Sequence, residues 1–370
     1  MNQKPVLVAN PKLGYLAHKA EFDAAYQRVM DSGWYILGKE VEHFEQAFAA
    51  YCGTKHAISV ATGTDAITLM LVAAGIGAGD EVITTPLTAA FGVLAIERAG
   101  ATPVFVDIDP ATFCLNPMGI GAALTPKTKA ILAVHLYGQP ADMNGIRDAL
   151  KTAGREDVLV FEDACQAHGA KIGDARVGSI GVASAFSFYP TKNLGGFGDG
   201  GMITTNDDEL AKKIRVLRDG GQTSKYHHEI SGYNSRLDEL QAAFLSARLQ
   251  HLDADNARRA DVAARYTEAF KDLAFIETPE ISQGNTSVWH LYVIKSAQRD
   301  ALQAHLKAQG IMAAVHYPLG VHQQPFMHDK QLAFPVTETA VREILSLPMY
   351  PELTDIEVDR VIAAIASFKA

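Results

Sequence analysis

The sequence predicts an α/β protein in which helices cover both faces of a mainly parallel sheet. Short apolar runs alternate with segments of helical periodicity over the first 200 residues, which is the pattern of repeated strand-helix-strand units. The chain has 370 residues, 48% of them hydrophobic, and can bury a core large enough for two lobes. We place a large domain at residues 1–250 and a smaller C-terminal α/β domain at 251–370.

The individual elements follow from the spacing of apolar residues and from the turn residues between them. Apolar positions three and four apart predict helices over residues 21–32 and 40–51. Further helices are expected at 66–74, 142–153, 237–252, 256–273, 299–309 and 354–368. Apolar runs predict strands at 57–60, 81–84, 103–106, 130–135, 158–161, 182–188, 202–205, 287–294 and 311–315. The domain boundary is placed where the helix at 237–252 ends.

A single lysine lies on a turn after the strand at 182–188, ahead of a glycine-rich stretch. The amine of Lys192 can form an imine with an aldehyde if burial or cationic neighbours lower its pKa. The alternative is a lysine exposed on a surface loop, because most lysines are exposed.

Asp163 follows the apolar strand at 158–161, and the carboxyl ends of strands are where α/β sheets bind ligands. Pyridoxal phosphate requires an acidic partner for its pyridinium nitrogen, since the protonated ring is the electron sink of transamination. A strand-end aspartate alone is equally typical of a helix cap. Asp163 and Lys192 together predict a pyridoxal phosphate site.

A turn containing Gly63 and Thr64 leads from the strand at 57–60 into a helix. Glycine allows the backbone to approach a ligand closely, and the N–H groups and dipole of a helix start favour a phosphate dianion. We expect the cofactor phosphate at this turn. An ordinary threonine or aspartate cap is the alternative for the same residues.

Four segments in register resemble the DegT/DnrJ/EryC1/StrS family of fold-type-I sugar aminotransferases, namely 63–66, 162–169, 187–193 and 232–238. The resemblance implies a pyridoxal phosphate-dependent transferase whose large domain holds a mainly parallel seven-stranded sheet. It also implies that Gln166 contacts the cofactor's 3′ oxygen and that Ser187 contacts its phosphate. Asn234 corresponds to a residue that crosses to the neighbouring subunit's phosphate, which implies a homodimer with shared active sites.

The resemblance also indicates residues that meet the substrate. Tyr189 lies two positions after Ser187, so in an extended chain both side chains face the cofactor. His316 and Tyr317 correspond to a turn that approaches the sugar. Structural packing at the end of a strand is the alternative for these last two residues.

Lys225 and Tyr226 are expected to reach the sugar nucleotide across the subunit interface, with Lys225 as a cation for the diphosphate. A solvated basic loop is the alternative for this segment, which continues into His227 and His228. These histidines and His251 have no third ligand at a convincing spacing, so no metal site is predicted.

The reaction implied by the resemblance is transfer of an amino group from L-glutamate to a nucleotide-linked ketosugar. The segments 135–139, 225–226 and 316–317 resemble members that aminate C3 of a dTDP-linked 3-keto-6-deoxyhexose, in the biosynthesis of unusual sugars, O-antigen or other glycans. A 4-keto sugar, a cyclitol ketone and a UDP or GDP carrier are alternatives.

Three other classes fit the sequence less well. A dehydratase of the same family has histidine in place of the lysine, which Lys192 argues against. The glycines at 75–79 follow a helix and precede a strand, the reverse of the order in nicotinamide-binding proteins. A non-catalytic regulatory relative would be expected to lose Asp163 or Lys192.

The sequence departs from the family after Thr88, where many relatives have an aromatic residue that stacks on the pyridine ring. This chain has Ala89. Phe91 either covers the ring or packs in the core, and we favour the core. Cys165 is interpreted as a small packing residue beside the cofactor.

The composition argues against several partners. The net charge is −9, from 33 basic and 42 acidic residues, which disfavours a nucleic-acid-binding surface. No apolar run approaches membrane-spanning length, and residues 1–10 lack the features of a signal peptide. Three cysteines without a pairing pattern fit a reducing compartment. We expect a cytoplasmic protein that binds neither nucleic acid nor membrane.

Overall fold

The computed structural model describes residues 4–327 and 332–369. Within these residues the α-helices are α1 (Pro11–Ala17), α2 (Lys19–Ser32), α3 (Lys39–Cys52), α4 (Gly63–Ala73), α5 (Ala90–Arg98), α6 (Ile120–Ala123), α7 (Met143–Thr152), α8 (Asp208–Arg218), α9 (Glu239–Leu249), α10 (Leu252–Phe270), α11 (Arg299–Ala308), α12 (Pro335–Glu343) and α13 (Asp355–Ala366). Short 3-10 helices lie at Pro117–Gly119, Leu136–Gly138 and Val321–Gln323. No helix in these ranges has both the length and the apolar character needed to cross a bilayer.

The strands in the same residues are β1 (His56–Val60), β2 (Glu81–Thr84), β3 (Thr102–Phe105), β4 (Thr128–Val134), β5 (Leu159–Asp163), β6 (Lys171–Ile172), β7 (Ala175–Arg176), β8 (Ala183–Ser187), β9 (Gly201–Thr205), β10 (Gln222–Ser224), β11 (His227–His228), β12 (Asn285–Thr286), β13 (Tyr292–Lys295) and β14 (Ile344–Leu347). Seven of them form the central sheet, in the order β1-β9-β8-β5-β4-β2-β3. The strands from β8 to β3 are parallel, and β9 is antiparallel to both of its neighbours. The predicted α/β class with a mainly parallel, seven-stranded sheet is therefore confirmed.

Strand direction decides where the functional residues meet. Because β1 and β8 both run opposite to β9, they run in the same direction as each other and as β5. The carboxyl ends of β1, β5 and β8 consequently lie at one edge of the sheet. The turns that follow these three strands are the turns in which the sequence places Gly63, Asp163 and Lys192.

Apolar helices cover the two faces of the sheet. The helix α4 is buried along most of its length, including Leu69 and Met70, and packs on β8 and β9. The side chain of Thr62 caps its start by accepting a hydrogen bond from the N–H of Asp65 at 3.0 Å. On the other face Ile146 of α7 joins the apolar cluster that includes the sheet residue Ile131.

The C-terminal part has its own apolar cluster. The antiparallel pair β13 and β14 packs with α10, α11 and α13 around the buried side chains of Tyr266 and Tyr292. Helix α9 ends at Leu249 and α10 begins at Leu252, on either side of the proposed boundary. The division into domains at 1–250 and 251–370 remains a prediction.

One predicted strand begins too early, and another is wrong. In the run 287–294 regular pairing begins only at Tyr292, because the backbone before it docks on another loop: the N–H of Val288 donates to the carbonyl of Gly138 at 3.0 Å. The run 311–315 makes single bridges, from Ile311 to Val6 and from Ala314 to Ser346, instead of a ladder. The helices α1, α5, α8 and α12 and the strand β14 are not among the predicted elements.

Candidate active site

Three turns are in contact at the carboxyl edge of the sheet. Asp163 ends β5, Ser187 ends β8, and Gly63 begins α4 after β1. A Cβ added to Gly63 would lie 2.7 Å from Cβ of Ser187 and 3.0 Å from Sγ of Cys165. A side chain at position 63 would therefore force these turns apart, so the close approach of their backbones requires glycine. Cys165 is the packing residue that the sequence predicts.

The carboxylate of Asp163 is 7% exposed and lies below the start of α5. Its Oδ1 accepts a hydrogen bond from the N–H of Cys165 at 3.1 Å. A Cβ on Gly92, in the first turn of α5, would lie 3.4 Å from Oδ2. The carboxylate is thus held in one orientation at the end of β5.

Lys192 is half-buried on a turn in which its N–H donates to the carbonyl of Tyr189 at 2.8 Å. Burial lowers the pKa of its amine from 10.5, while the nearby Cys165 and Asp163 oppose that shift. The lowering arises from burial and not from cationic neighbours. The alternative of an exposed surface lysine does not hold.

The charge of the Lys192 amine acts on three imidazoles, those of His168, His290 and His316. Burial lowers the pKa of each, and the Lys192 amine lowers it further; for His168 the pKa falls to about 3. All three rings are therefore neutral at physiological pH. Neither ring nitrogen of His168 has a hydrogen-bond partner within residues 4–327 and 332–369, and the ring packs on the rings of Phe186 and Phe188.

His168 and His290 are not among the predicted site residues. His168 lies in the segment 162–169, in which only Asp163 and Gln166 are predicted to contact the cofactor. Its place in this motif is the sequence feature that could have identified it. His290 comes from the C-terminal part, 98 residues after Lys192, and its sequence spacing gives no signal.

A chain of hydrogen bonds links Gln166 to the predicted sugar-facing turn. Nε2 of Gln166 donates to the hydroxyl of Tyr317 at 3.2 Å, and Oε1 accepts from the N–H of Tyr137 at 2.8 Å. The hydroxyl of Tyr137 donates to the carbonyl of His316, whose Nδ1 lies 2.9 Å from Oγ of Ser346. Burial raises the pKa of the Tyr317 phenol to about 12, so this hydroxyl is protonated at neutral pH.

Other predicted residues do not join this cluster within one chain. Tyr189 is 54% exposed on the lysine turn, and Thr64 is half-buried in the first turn of α4. Lys225 and Tyr226 connect β10 and β11 on an exposed hairpin, where the Lys225 amine lies 5.3 Å from the centre of the Tyr226 ring. Asn234 is exposed, in a segment bridged to Asp219.

The preferred assignment of Phe91 to the core is wrong. Its side chain is 65% exposed, because it lies in the first turn of α5 on the side away from the sheet. The neighbouring Gly92 and Val93 take the buried side of that turn.

His251 lies close to His18 and Glu21, which are more than 200 residues away in the sequence. Its Nε2 lies 2.9 Å from one oxygen of Glu21, and Nδ1 of His18 lies 3.4 Å from the other. The two rings stack with centroids 3.8 Å apart and planes 22° from parallel. A metal must lie near the plane of every imidazole that binds it, and stacked rings cannot satisfy this for one ion without rotating. We interpret the group as two imidazoles hydrogen-bonded to one carboxylate.

The residues at the sheet edge fit pyridoxal phosphate. The N–H groups of Gly63 and Thr64, at the start of an eleven-residue helix, have no partner among the hydrogen bonds of the described residues. They lie in the glycine turn that contacts Ser187, the predicted phosphate ligand. A fixed carboxylate and a lysine with a lowered pKa complete the set that this cofactor requires.

Comparison with known proteins agrees with this geometry. The sequence matches the DegT/DnrJ/EryC1/StrS aminotransferase family over residues 17–366. The chain belongs to that family. The predicted aminotransferase class and the pyridoxal phosphate cofactor are therefore confirmed.

Individual relatives cover nearly the whole chain. It is 47% identical over 351 residues to a "dTDP-3-amino-3,6-dideoxy-alpha-D-galactopyranose transaminase" of Aneurinibacillus thermoaerophilus, covering 95% of this chain and 96% of the relative. It is 50% identical over 357 residues to a "Pleiotropic regulatory protein" of Geobacillus stearothermophilus, covering 95% of each. The crystal structure of S. venezuelae DesV in complex with a ketimine intermediate superposes with a TM-score of 0.95 at 45% identity, over 98% of each chain.

Proposed function

We propose that this enzyme transfers an amino group from L-glutamate to C3 of a nucleotide-linked keto-deoxysugar, with dTDP as the carrier. One observation carries the aminotransferase chemistry: a half-buried lysine and a fixed aspartate meet a glycine helix start at one edge of the sheet. The names of the dTDP-3-amino-sugar relatives support the position and the carrier. The pathway would be one that builds unusual sugars, O-antigen or other glycans.

The residues present would each have one task. The cofactor supplies an electron sink for the carbanion at the donor's Cα. Asp163 would hold the proton of the pyridinium nitrogen, and the N–H groups of Gly63 and Thr64 with Ser187 would bind the phosphate. Nζ of Lys192 would take and return the proton of the reacting carbon, for which a lowered pKa makes it suitable.

The keto sugar would approach from the side of Tyr317 and His316. The Tyr317 hydroxyl is hydrogen-bonded to Gln166, and the neutral His316 ring, whose pKa the Lys192 amine lowers, adds no charge there. Gln166 has its Nε2 directed at the Tyr317 hydroxyl, so a bound cofactor would share or replace this contact through its 3′ oxygen. Tyr189, exposed on the lysine turn, is also available to the substrate.

A homodimer would complete the site. Lys225, Tyr226 and Asn234 are exposed and outside the cluster around Lys192 in one chain, as required if they serve a second subunit. Large aromatic side chains are also exposed, including Trp34 at 63%. The surface also has an apolar groove, whose lining includes Tyr15, Phe22, Tyr26, Phe197 and Phe244. Exposed apolar surface of this kind is typical of an interface between subunits.

The cytoplasm is the proposed compartment. Cys52, Cys114 and Cys165 are all unpaired, which fits a reducing environment. A regulatory role, suggested by the name of the Geobacillus relative, is the second candidate. The presence of both Lys192 and Asp163 at one site favours catalysis.

The first test is the absorbance spectrum of the purified protein, reconstituted with pyridoxal phosphate, before and after addition of L-glutamate. We expect a visible band that L-glutamate converts to the shorter-wavelength band of the aminated cofactor. Lys192→Ala should lack the visible band and all turnover while keeping its circular dichroism spectrum. A protein that never acquires the band would contradict the proposal and favour the regulatory role.

The second test compares keto sugars. We expect turnover of a dTDP-linked 3-keto-6-deoxyhexose with L-glutamate as donor and little turnover of the 4-keto isomer. The reverse preference would contradict the assignment of the reaction to C3, but not the assignment of Lys192 as the reacting amine.

A further inference from the structure

The side chain of Asn193, directly after Lys192, ties the lysine turn to the C-terminal part of the chain. It is 3% exposed. Its Nδ2 donates to Oδ1 of Asn256 at 2.8 Å and to the carbonyl of Val288 at 2.8 Å. Its Oδ1 lies 3.1 Å from Nδ1 of His290. Both N–H groups and the oxygen of this amide are therefore used.

The partners of Asn193 are themselves fixed. Nδ2 of Asn256, in α10, donates to the carbonyl of His168 at 2.9 Å. Val288 is 1% exposed, and its N–H donates to the carbonyl of Gly138 at 3.0 Å. A buried polar network in which the members are satisfied holds the backbone in one arrangement, since any other arrangement leaves buried groups unpaired.

The network also fixes the protonation of His290. Because Oδ1 of Asn193 can only accept, Nδ1 of His290 carries the proton of the neutral ring. Burial lowers the pKa of this imidazole well below 6.5, and the positive charges of Lys192 and Arg259 lower it further. The ring beside the lysine is neutral, with its tautomer set by Asn193.

We propose that Asn193 is a positioning residue for Lys192: together with His290 and Asn256 it holds the lysine turn so that the amine stays buried at the sheet edge. The proposal rests on the proposed function, because it takes Lys192 as the reacting amine. Without the network the turn would be free to move and the amine would gain access to water. Its pKa would then rise toward the value of an exposed lysine, and its alignment would be lost.

The variants separate positioning from general stability. Asn193→Ala removes all three hydrogen bonds. His290→Asn keeps a donor near the place of Nδ1, whereas His290→Phe keeps a ring without any donor. Asp107→Ala is the matched control, since Asp107 joins the loop after β3 to the C-terminal part. Its carboxylate accepts from the N–H of Val336 at 2.9 Å and from the N–H and Oγ1 of Thr337 at 3.0 and 2.7 Å.

Two measurements are made on each variant, one on the cofactor-free protein and one on the reconstituted protein. In the cofactor-free protein, the rate of Lys192 modification by trinitrobenzenesulfonate is followed against pH by peptide mass spectrometry, which gives the apparent pKa of the amine. In the reconstituted protein, saturating L-glutamate is mixed with the enzyme, and the rate at which the visible band disappears in a single turnover is measured. This rate reports the reaction of the lysine.

We expect Asn193→Ala and His290→Phe to raise the labelling midpoint of Lys192 and to slow the single turnover about 10- to 100-fold. His290→Asn should stay within about threefold of the wild type, and Asp107→Ala should leave the labelling midpoint unchanged. Equal labelling midpoints for the wild type, Asn193→Ala and His290→Phe would overturn the positioning role. If Asn193→Ala does not fold, the two His290 variants decide the question.

The outcomes distinguish this proposal from the proposed function. A wild-type protein that shows no cofactor band would contradict the aminotransferase assignment, while the labelling of the cofactor-free protein would still test the positioning. A normal wild-type band, with variants that match Asp107→Ala in both readouts, would overturn the positioning alone.

Discussion

At the scale of single residues, the site requires glycine at position 63, because a side chain there would collide with its neighbours. The Cβ of an alanine there would lie 2.7 Å from Cβ of Ser187 and 3.0 Å from Sγ of Cys165. Overpacking of this kind costs about 1–3 kcal/mol, because the contacting atoms have to move apart. The predicted phosphate turn would be displaced with them.

We therefore expect Gly63→Ala to raise the dissociation constant for pyridoxal phosphate at least about tenfold, since about 1.4 kcal/mol is a factor of ten. Fluorescence titration of the cofactor-free protein measures it. Gly121→Ala is the control, because a Cβ there meets nothing within 4 Å. An unchanged dissociation constant for Gly63→Ala would place the phosphate elsewhere.

Glu162, next to Asp163 in β5, is a structural carboxylate. Burial alone would raise its pKa, but hydrogen bonds from His135, the N–H of Gly181 and the Ser184 hydroxyl lower it to about 2 from 4.5. A carboxyl whose pKa is lowered on folding stabilises the protein above its unfolded pKa. That contribution is lost as the pH falls from about 5 towards 2.

Glu162→Gln should therefore lower the free energy of unfolding by about 3 kcal/mol at pH 7, and this difference should shrink as the pH is lowered through 4.5 towards 2. Urea unfolding of the cofactor-free protein over that pH range measures both. The exposed Glu156→Gln serves as the control. A loss of stability that does not depend on pH would mean that the lost charge is not its cause.

The sequence predicts the candidate site residues that follow strands, and it does not reveal residues whose contacts lie far along the chain. Lys192, Asp163 and Gly63 follow strands, and strand order brings such turns to one edge. His290 and Asn193 became visible only when the docking of the C-terminal segment was known. Phe91 was misplaced because an apolar residue near a helix start has no periodic neighbours to show which way it faces.

At the scale of elements, the short hairpin β10–β11 is exposed on the surface of the chain. Lys225 and Tyr226 are exposed at its tip, and Tyr226 is 83% exposed. A hairpin of two short strands has little core of its own, so its placement in a working enzyme depends on what it packs against. A second subunit is the occupant that the proposed function supplies.

Lys225→Ala should raise the KM for the sugar nucleotide about tenfold and leave the half-reaction with L-glutamate unchanged, because its amine would meet only the diphosphate. Steady-state and single-turnover kinetics separate the two effects. Lys213→Ala, an exposed lysine on α8, is the control. Equal KM values for the two variants would exclude Lys225 from the substrate site.

The residues 287–291 and 311–315, which are predicted as strand and are not, show where element prediction fails. Each belongs to an apolar run, but the backbone of 287–291 bonds to another loop and that of 311–315 makes single bridges. An apolar run predicts burial and does not reveal the partner of the backbone, which distinguishes a strand from a docked loop.

At the scale of the whole molecule, the proposed sharing of sites makes a quantitative prediction. If Lys192 of one subunit works with Asn234 of the other, Lys192→Ala and Asn234→Ala chains are each impaired alone. A mixed dimer has one site with both defects and one intact site. Equal mixing and re-association should therefore restore about a quarter of the wild-type activity, since half of the dimers are mixed.

The complementation is measured after dissociation and renaturation of the mixture at a cofactor concentration where Asn234→Ala alone is inactive. A mixture of Lys192→Ala with Asp163→Ala is the control, because these residues lie in one chain's site and mixed dimers regain no complete site. Recovery equal to that of the control would contradict shared sites.

The order of strands in the sheet also has a consequence during synthesis on the ribosome. In the described sheet β1 pairs only with β9, and 140 residues separate Val60 from Gly201. At about 5–20 residues per second, synthesis of these 140 residues takes roughly 7–28 s, during which β1 has no pairing strand. During that time the apolar strand β1 and the turn at Gly63 that follows it have no neighbouring strand to pack against. The nascent chain must be protected from association at this stage, and the cofactor can be captured only after most of the chain has been made.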